Sequence, residues 1–411
     1  MVRLPPRRGS RRPNRVRIDG PAMSARGNRM VGRSSESKPD DTGDVEQTPL
    51  YRECVHLPHH RYDVIIGTDC LNLVPQEWQR LGHWSRVVVV ADKQAERYAA
   101  RIVEYASHAG AVVECTTVPP GEISKSLAEA ERLYDFLIAV GADRRTLLVA
   151  VGGGMVGDLA GFVAATYVRG ISWIVVPTTL LAMVDSAVGG KVAINRPQAK
   201  NIVGAFHQPI LVVADTDTLA TLPDREYRSG LAEVVKYGLL GDRTLFERIE
   251  ASVPALLGRQ PDVLRQVIAR SVALKARIVE ADERELSHLR EALNLGHTFA
   301  HALEADRGYR EWLHGEAVAV GLVCALRLAC RRGLIESALC QRLISLLQAL
   351  HLPVRLPLGC DPGELLGLMR RDKKARAGRL RFVLPVAFGQ VQVFDDVPDE
   401  DVLAVLHEAL Q

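Results

Sequence analysis

The stretch TLLVAVGGGMVGD, Thr146 to Asp158, runs from an unbroken apolar segment into a glycine cluster and on into a segment of helical character. An apolar run bounded by glycine suits a strand buried on both faces, the habit of parallel sheets. Gly152, Gly154 and Gly157 stand at G-x-G-x-x-G spacing where strand gives way to helix. That spacing suits a pyrophosphate, because glycines admit close backbone approach and the first N–H groups of a helix face the anion. One part of the dinucleotide fingerprint is absent. No acidic residue ends the next strand, which runs into VVPTT. Taken alone, the turn fits a dinucleotide site, a phosphate-only site or a tight structural turn.

Outward from this turn, VVVVAD (87–92), AVVECTTV (111–118), SWIVVPTT (172–179) and ILVVAD (210–215) read as further buried parallel strands. Helical segments such as SLAEAERLYDFLIAVG separate them, which makes a βαβ series. After TLPDREYRSG the character changes, and from about 226 to 350 nearly everything has helical period. The pattern predicts an α/β, Rossmann-like nucleotide-binding domain over 51–224 and an all-α or mainly helical domain over 225–411, with the active site in a cleft between them.

The chain has 411 residues, 47% hydrophobic and 25% charged, which is ordinary for a globular protein. No apolar run reaches the ~18 residues a membrane-spanning helix needs. The net charge of +3 hides an asymmetry: the first 33 residues hold ten arginines and one aspartate, leaving −6 for the rest. Residues 1–50 are rich in Arg, Pro, Ser and Asp without hydrophobic period and read as a disordered extension. An Arg-rich nucleic-acid arm is the alternative reading of that tail. The seven cysteines are scattered without a C-x-x-C pair, which suits reduced thiols in a cytosol.

Two polar clusters stand out. Asp185, Lys191, Asn195, Lys200 and Asn201 recur within the Gly-rich segment 177–209, where amines beside flexible glycines suit an anionic substrate. The helical half offers Glu233, His297, His301 and His314 as metal-ligating types. His297 and His301 are four residues apart, on one helical face. Catalytic zinc takes three such ligands and an open position, and spacing alone leaves open which three groups those are.

GGGMVGDLAGFVA, YVRG, VPTTLLAMVDSAVGGKVAIN, KNIVGAFHQP, TLPDREY, SGLAEVVKYG, LKARIVEADERE, ALNLGHTFAHALE, WLHGEAVAVG and RRDKK, in that order, resemble the 3-dehydroquinate synthase family, one of the sugar phosphate cyclases. The resemblance covers about residues 60–400. In that family, bound NAD+ and a divalent metal, Zn2+ or Co2+, serve the conversion of 3-deoxy-D-arabino-heptulosonate 7-phosphate to 3-dehydroquinate and phosphate. The route is transient oxidation, phosphate elimination, reduction and intramolecular aldol closure.

By motif, the resemblance implies Glu233, His297 and His314 as metal ligands. It implies Asp92, Glu122, Lys125, Gly153, Gly154, Asp158, Thr178 and Thr179 around the nucleotide, with Lys191 and Lys200 shared between cofactor and substrate. Where the family usually has Asn two residues after its strand-end Asp, this chain has Gln94. Lys191, Asn201, Asn294 and Lys373 (or its neighbour Lys374) are implied at the substrate phosphate, with Arg169 arriving from the partner subunit of a homodimer. Asp185, Lys200 and Lys236 are implied near the ring hydroxyls, and Lys275, Arg284 and His301 on the carboxylate side. Cyclases whose substrates lack a carboxylate tend to replace some of Lys275, Arg284, Asn294 and His301, all present here. Glycerol dehydrogenase-like relatives share architecture and metal but lack the VDSAVGGK, KNIVGAF and RDKK set. The expected protein is thus a cytoplasmic enzyme of a small sugar phosphate, with no membrane or nucleic-acid partner.

Overall fold

The structure, a computed structural model, describes residues 15–17, 50–197, 199–306, 308, 311–371 and 380–410. By internal packing they form two compact units. One holds the chain up to Arg290 with Ala349–Leu352; the other holds Glu291–Gln348 and Pro353–Gln411 together with a short strand near the N-terminus, β1 (Arg15–Arg17).

The first unit opens with the antiparallel pair β2 (Tyr51–Leu57) and β3 (His60–Gly67), then α1 (Leu73–Leu81). The βαβ series follows as β4 (Arg86–Asp92), α2 (Glu96–His108), β5 (Val113–Val118), α3 (Leu127–Ala139), β6 (Thr146–Gly152), α4 (Gly154–Thr166) and β7 (Ser172–Pro177). A separate antiparallel hairpin of β8 (Lys191–Arg196) and β9 (Ala199–Phe206) interrupts it before β10 (Leu211–Asp215). The helices α5 (Asp224–Gly241), α6 (Arg243–Ala251), α7 (Val253–Leu257) and α8 (Pro261–Ala281) complete the unit.

The seven-stranded sheet runs β2-β3-β10-β7-β6-β4-β5, with every neighbouring pair parallel except β2 and β3. The Val-rich strands predicted from the sequence are its centre: β6 and β10 are buried at every residue, as parallel strands covered on both faces require. On one face Trp78, Tyr98, Ile102 and Ala106 of α1 and α2 pack on Val87, Val89, Val149 and Val213. Local signals agree with the tertiary pattern. Ser126 caps α3 by accepting the Glu129 N–H at 3.2 Å, and the Asp242 carboxylate caps α6 through Leu245 N–H at 2.9 Å.

Strand order reverses between β4 and β6, because β5 follows β4 in the chain but lies outside it in the sheet. Ligands of open α/β sheets bind beyond the carboxyl ends of strands at such a switch point. Asp92 ends β4 there and Gly152 ends β6, and a Cβ placed on Gly152 would stand 3.1 Å from that of Asp92.

The second unit contains α9 (His297–Asp306), α10 (His314–Arg331), α11 (Ser337–Ala349), α12 (Pro362–Arg371), β11 (Phe382–Ala387), β12 (Gln390–Phe394) and α13 (Asp399–Leu410). It is helical as expected, with one addition to an all-α fold: β11 and β12 pair as a hairpin, and β1 adds antiparallel to β12 with Val16 opposite Val391. The expectation of disorder over residues 1–50 otherwise lies outside the described residues, apart from Leu50. No helix among the described residues is long and apolar enough to cross a membrane.

Candidate active site

The glycine turn forms first. Gly152 takes a positive φ of 157°, and Gly153 caps α4 without any side-chain hydrogen bond, so the helix start is bare. A Cβ on Gly153 would lie 3.1 Å from Thr179 Cγ2, and one on Gly154 would lie 2.8 Å from Ser186 Oγ. Side chains here would therefore fill the space in front of the helix start. A Cβ on Gly157 would meet nothing within 4 Å. Thr178 N–H donates to Gly152 O at 2.9 Å and Thr179 Oγ1 accepts from Ala182 N–H at 3.2 Å, which ties the ends of β6 and β7 together. A small hollow opens at this point, lined by Gly157, Asp158, Trp173, Ser186 and Lys191 among others. Asp92 is half-buried, and burial raises its pKa while the Gln94 N–H at 2.8 Å opposes the rise. Gln94 thus meets Asp92 through its backbone, where its side-chain identity matters least.

Lys125 lies buried between the Asp158 carboxylate and Asn201 Oδ1, donating to both. Glu122 Oε1 accepts from Asn195 Nδ2 at 2.7 Å, and Asn195 Oδ1 accepts the Asn201 N–H at 2.9 Å. Residues expected at the nucleotide (Glu122, Lys125, Asp158) and at the substrate phosphate (Asn201) therefore form one network. Burial raises the Asp158 pKa against the pull of Lys125. Asn201 carries a positive φ of 51°, a conformation Asn tolerates better than most residues. Lys200 precedes it on β9, half-buried.

A second network is more deeply buried. Lys275 on α8 donates to both the carboxylate Oδ1 and the carbonyl of Asp185, each at 2.5 Å, and Tyr237 Oη donates to the same Oδ1 at 2.7 Å. Lys236 pairs with Glu233 one turn earlier on α5, both almost wholly buried. Burial alone would raise the Asp185 pKa; Lys275 and Lys236 overcome it and hold the carboxylate ionised well below its usual range. Burial depresses Lys275 and raises Tyr237, the latter helped by the Asp185 charge. Two lysines and a phenol are thus held around one carboxylate. Tyr237 went unnamed by motif, although it follows Lys236 in AEVVKYG.

Lys191 ion-pairs with Glu285 at the start of β8. Arg284, expected on the carboxylate side, is exposed. A different guanidinium, Arg290, is 3% exposed and donates to Gly189 O at 3.2 Å and Glu283 O at 2.7 Å. The two arginines differ in setting: Arg284 faces solvent, whereas the Arg290 guanidinium is held by backbone carbonyls. Arg169 is exposed on a turn in which it and Val168 both carry positive φ.

In the second unit, α9 and α10 set the histidines. Gly296 has a positive φ of 78°, and a Cβ there would stand 2.8 Å from Leu322 N. This contact lets the start of α9 sit directly on α10. The His297 and His314 rings lie 5.4 Å apart and the His297 and His301 rings 5.7 Å apart, both edge-on. His297 Nδ1 lies 3.1 Å from Leu295 O; a carbonyl only accepts, so Nδ1 carries the proton and Nε2 keeps its lone pair. Glu304 Oε1 is 3.6 Å from His314 Nδ1, a carboxylate–histidine pairing of the kind that orients metal-ligating rings. His297 and His314 thus bring two imidazoles together within this unit, and Glu233, the third of the trio that the resemblance implies, is wholly buried on α5 of the first unit. Two neutral imidazoles and a carboxylate suit a catalytic zinc or cobalt site with an open position. His301 adjoins His297 but lies outside that trio, and Asn294 ends the turn before α9. Lys373 and Lys374 lie outside the described residues.

The chain matches the family described as 3-dehydroquinate synthase N-terminal over residues 115–229 and 3-dehydroquinate synthase C-terminal over residues 230–375. It belongs to the 3-dehydroquinate synthase family. A 3-dehydroquinate synthase of Desulforamulus reducens is 44% identical over 355 residues, covering 86% of this chain and 99% of that relative. The fold also matches a crystal structure of 2-deoxy-scyllo-inosose synthase complexed with carbaglucose-6-phosphate, NAD+ and Co2+, at TM-score 0.79 and 27% identity over 87% of this chain and 100% of that one. A 2-epi-5-epi-valiolone synthase from Streptomyces hygroscopicus with NAD+ and Zn2+ bound matches at TM-score 0.78 and 28% identity, over 86% and 98% of the two chains. 3-Dehydroquinate synthase relatives thus align by sequence and sugar phosphate cyclases by structure, in agreement with the motif series.

Proposed function

We propose that the protein is a 3-dehydroquinate synthase, taking 3-deoxy-D-arabino-heptulosonate 7-phosphate to 3-dehydroquinate and phosphate with NAD+ and a divalent metal. The observation that carries the reading is the junction at Ser186. Its Oγ would sit 2.8 Å from a Cβ on Gly154, so the nucleotide turn abuts the residue following Asp185, at the heart of the buried lysine cluster. Hydride chemistry on a polyol needs this adjacency of cofactor site and charge-stabilising groups.

In this reading Glu233, His297 and His314 hold the metal, and Glu122, Lys125, Asp158 and the Gly153–Gly154 turn hold the dinucleotide. When bound, the metal supplies Lewis acidity at a ring hydroxyl, and NAD+ accepts a hydride and later returns it. The chain's residues do the rest. Asp185, ionised and anchored by Lys275 and Tyr237, orients the ring hydroxyls, and Lys236 opposes charge developing on oxygen. Lys191, Asn201, Asn294 and Lys373 hold the phosphate, whose own oxygen takes the proton during elimination, and Lys200 stands with Asp185 and Lys236 at the ring hydroxyls. Lys275, Arg284 and His301 serve the carboxylate side, where the exposed Arg284 guanidinium is open to an incoming anion. We further read the protein as a cytoplasmic homodimer. Its seven unpaired cysteines and the exposed turn bearing Arg169 support that.

The test is phosphate release from the heptulosonate phosphate with NAD+ and Zn2+ or Co2+ supplied, with sedoheptulose 7-phosphate as control. Release from the first substrate, abolished by chelators, is expected. No release would overturn the assignment, and preference for the control would favour a neighbouring cyclase.

A further inference from the structure

Gly189 and Gly190 carry positive φ of 105° and 64°, side by side, immediately before Lys191. Two such glycines make a turn with little intrinsic stiffness, since neither has a Cβ to restrict it. Yet Lys191 begins β8 and lines the hollow in front of α4, so the turn sets where its ammonium stands. Three contacts fix the turn from outside. Tyr62 Oη, on β3 and 127 residues away, accepts the Gly189 N–H at 3.1 Å. Arg290 donates to the Gly189 carbonyl at 3.2 Å, and His207 N–H donates to the Gly190 carbonyl at 2.8 Å.

Of the three, Tyr62 has no other evident task. The residue is 2% exposed in the core of β3, where a phenylalanine would fill the same volume without a buried hydroxyl. Burial pushes its pKa up to about 12, so the phenol remains neutral throughout the working range. Its oxygen supplies the acceptor that the Gly189 N–H requires in a buried setting.

We propose that Tyr62 is a positioning residue for the substrate phosphate: by holding Gly189 N–H, it fixes the diglycine turn and through it Lys191. The proposal rests on the reading of Lys191 as a phosphate contact, while the hold on Gly189 is testable without it. Tyr62 touches neither cofactor nor substrate in this scheme and acts through the turn alone.

The test is Tyr62→Phe in the full chain. By hydrogen–deuterium exchange, a peptide spanning 186–193 is expected to exchange roughly two- to ten-fold faster, the scale of one lost hydrogen bond, while the β6 peptide 146–152 exchanges at the wild-type rate. KM for the heptulosonate phosphate should rise by a similar factor with kcat held within about two-fold. Made in a Lys191→Met background, Tyr62→Phe should add little further to KM, because its effect passes through the missing ammonium. Unchanged exchange at 186–193 overturns the clamp, and additive effects on KM overturn its action through Lys191. A wild-type protein that releases no phosphate would overturn the reading of function instead, and the exchange result would still decide the clamp.

Discussion

Gly296 and Gly321 meet backbone to backbone: a Cβ on Gly296 would stand 2.9 Å from the Gly321 carbonyl carbon, and one on Gly321 would overlap the Gly296 carbonyl oxygen. The approach of α9 to α10, and with it the 5.4 Å separation of the His297 and His314 rings, depends on both residues lacking side chains. Gly321→Ala is expected to push the helices apart, destabilise the protein by about 1–3 kcal/mol as overpacking does, and lower bound metal. Denaturant titration with metal analysis checks it. Normal metal content at reduced stability would show that the histidines tolerate the shift.

The histidine pair divides by role. His297→Ala is expected to lose metal affinity by at least about ten-fold, whereas His301→Ala keeps its metal and loses turnover by roughly ten- to a hundred-fold. Metal content of the purified variants decides between them. Equal loss from both would make His301 a ligand.

Lys125→Met removes the ammonium that joins Asp158 to Asn201. Without that counter-charge the Asp158 pKa rises further, and NAD+ binding should weaken by roughly ten-fold or more, as expected for a lost charged hydrogen bond. Cofactor titration of the variant reads this directly; an unchanged Kd would remove Lys125 from the nucleotide site.

Asp185 gives a pH signature. Its folded pKa is depressed, so its contribution to stability is present above the unfolded value and fades as pH falls through and below about 3.9. Asp185→Asn leaves Lys275 buried without its partner and should cost roughly 3 kcal/mol or more at pH 7. The gap from wild type should narrow on acidification, since below about 3.9 the unfolded aspartate binds a proton that the folded one does not. Denaturation midpoints at pH 7 and pH 3 test it, and a gap that widened would refute the sign.

The central sheet was legible because β4, β6, β7 and β10 are apolar runs closed by Gly, Pro or Asp, the mark of strands covered on both faces. The hairpin β8–β9 was not. Lys200, Asn201 and the exposed residues of β9 give it the composition of a loop, and its pairing comes from partners rather than periodicity. The pair β2–β3 turns through Pro58–His59 without the Asn-Gly or Asp-Gly sign of a tight hairpin. The site divides similarly. Glycine spacing announced the helix start, but nothing local links Tyr62 or Arg290 to Gly189. Those links arise only when distant segments pack.

Gly157 has a further meaning. In the fourth position of α4 it takes ordinary helical geometry, and a methyl group there would meet no protein atom within 4 Å. Alanine would favour the helix by roughly 1 kcal/mol at no steric expense to the fold. The hollow that Lys191 and Ser186 also line is therefore bounded on this side by bare backbone, and its width there is set by where α4 lies rather than by any side chain.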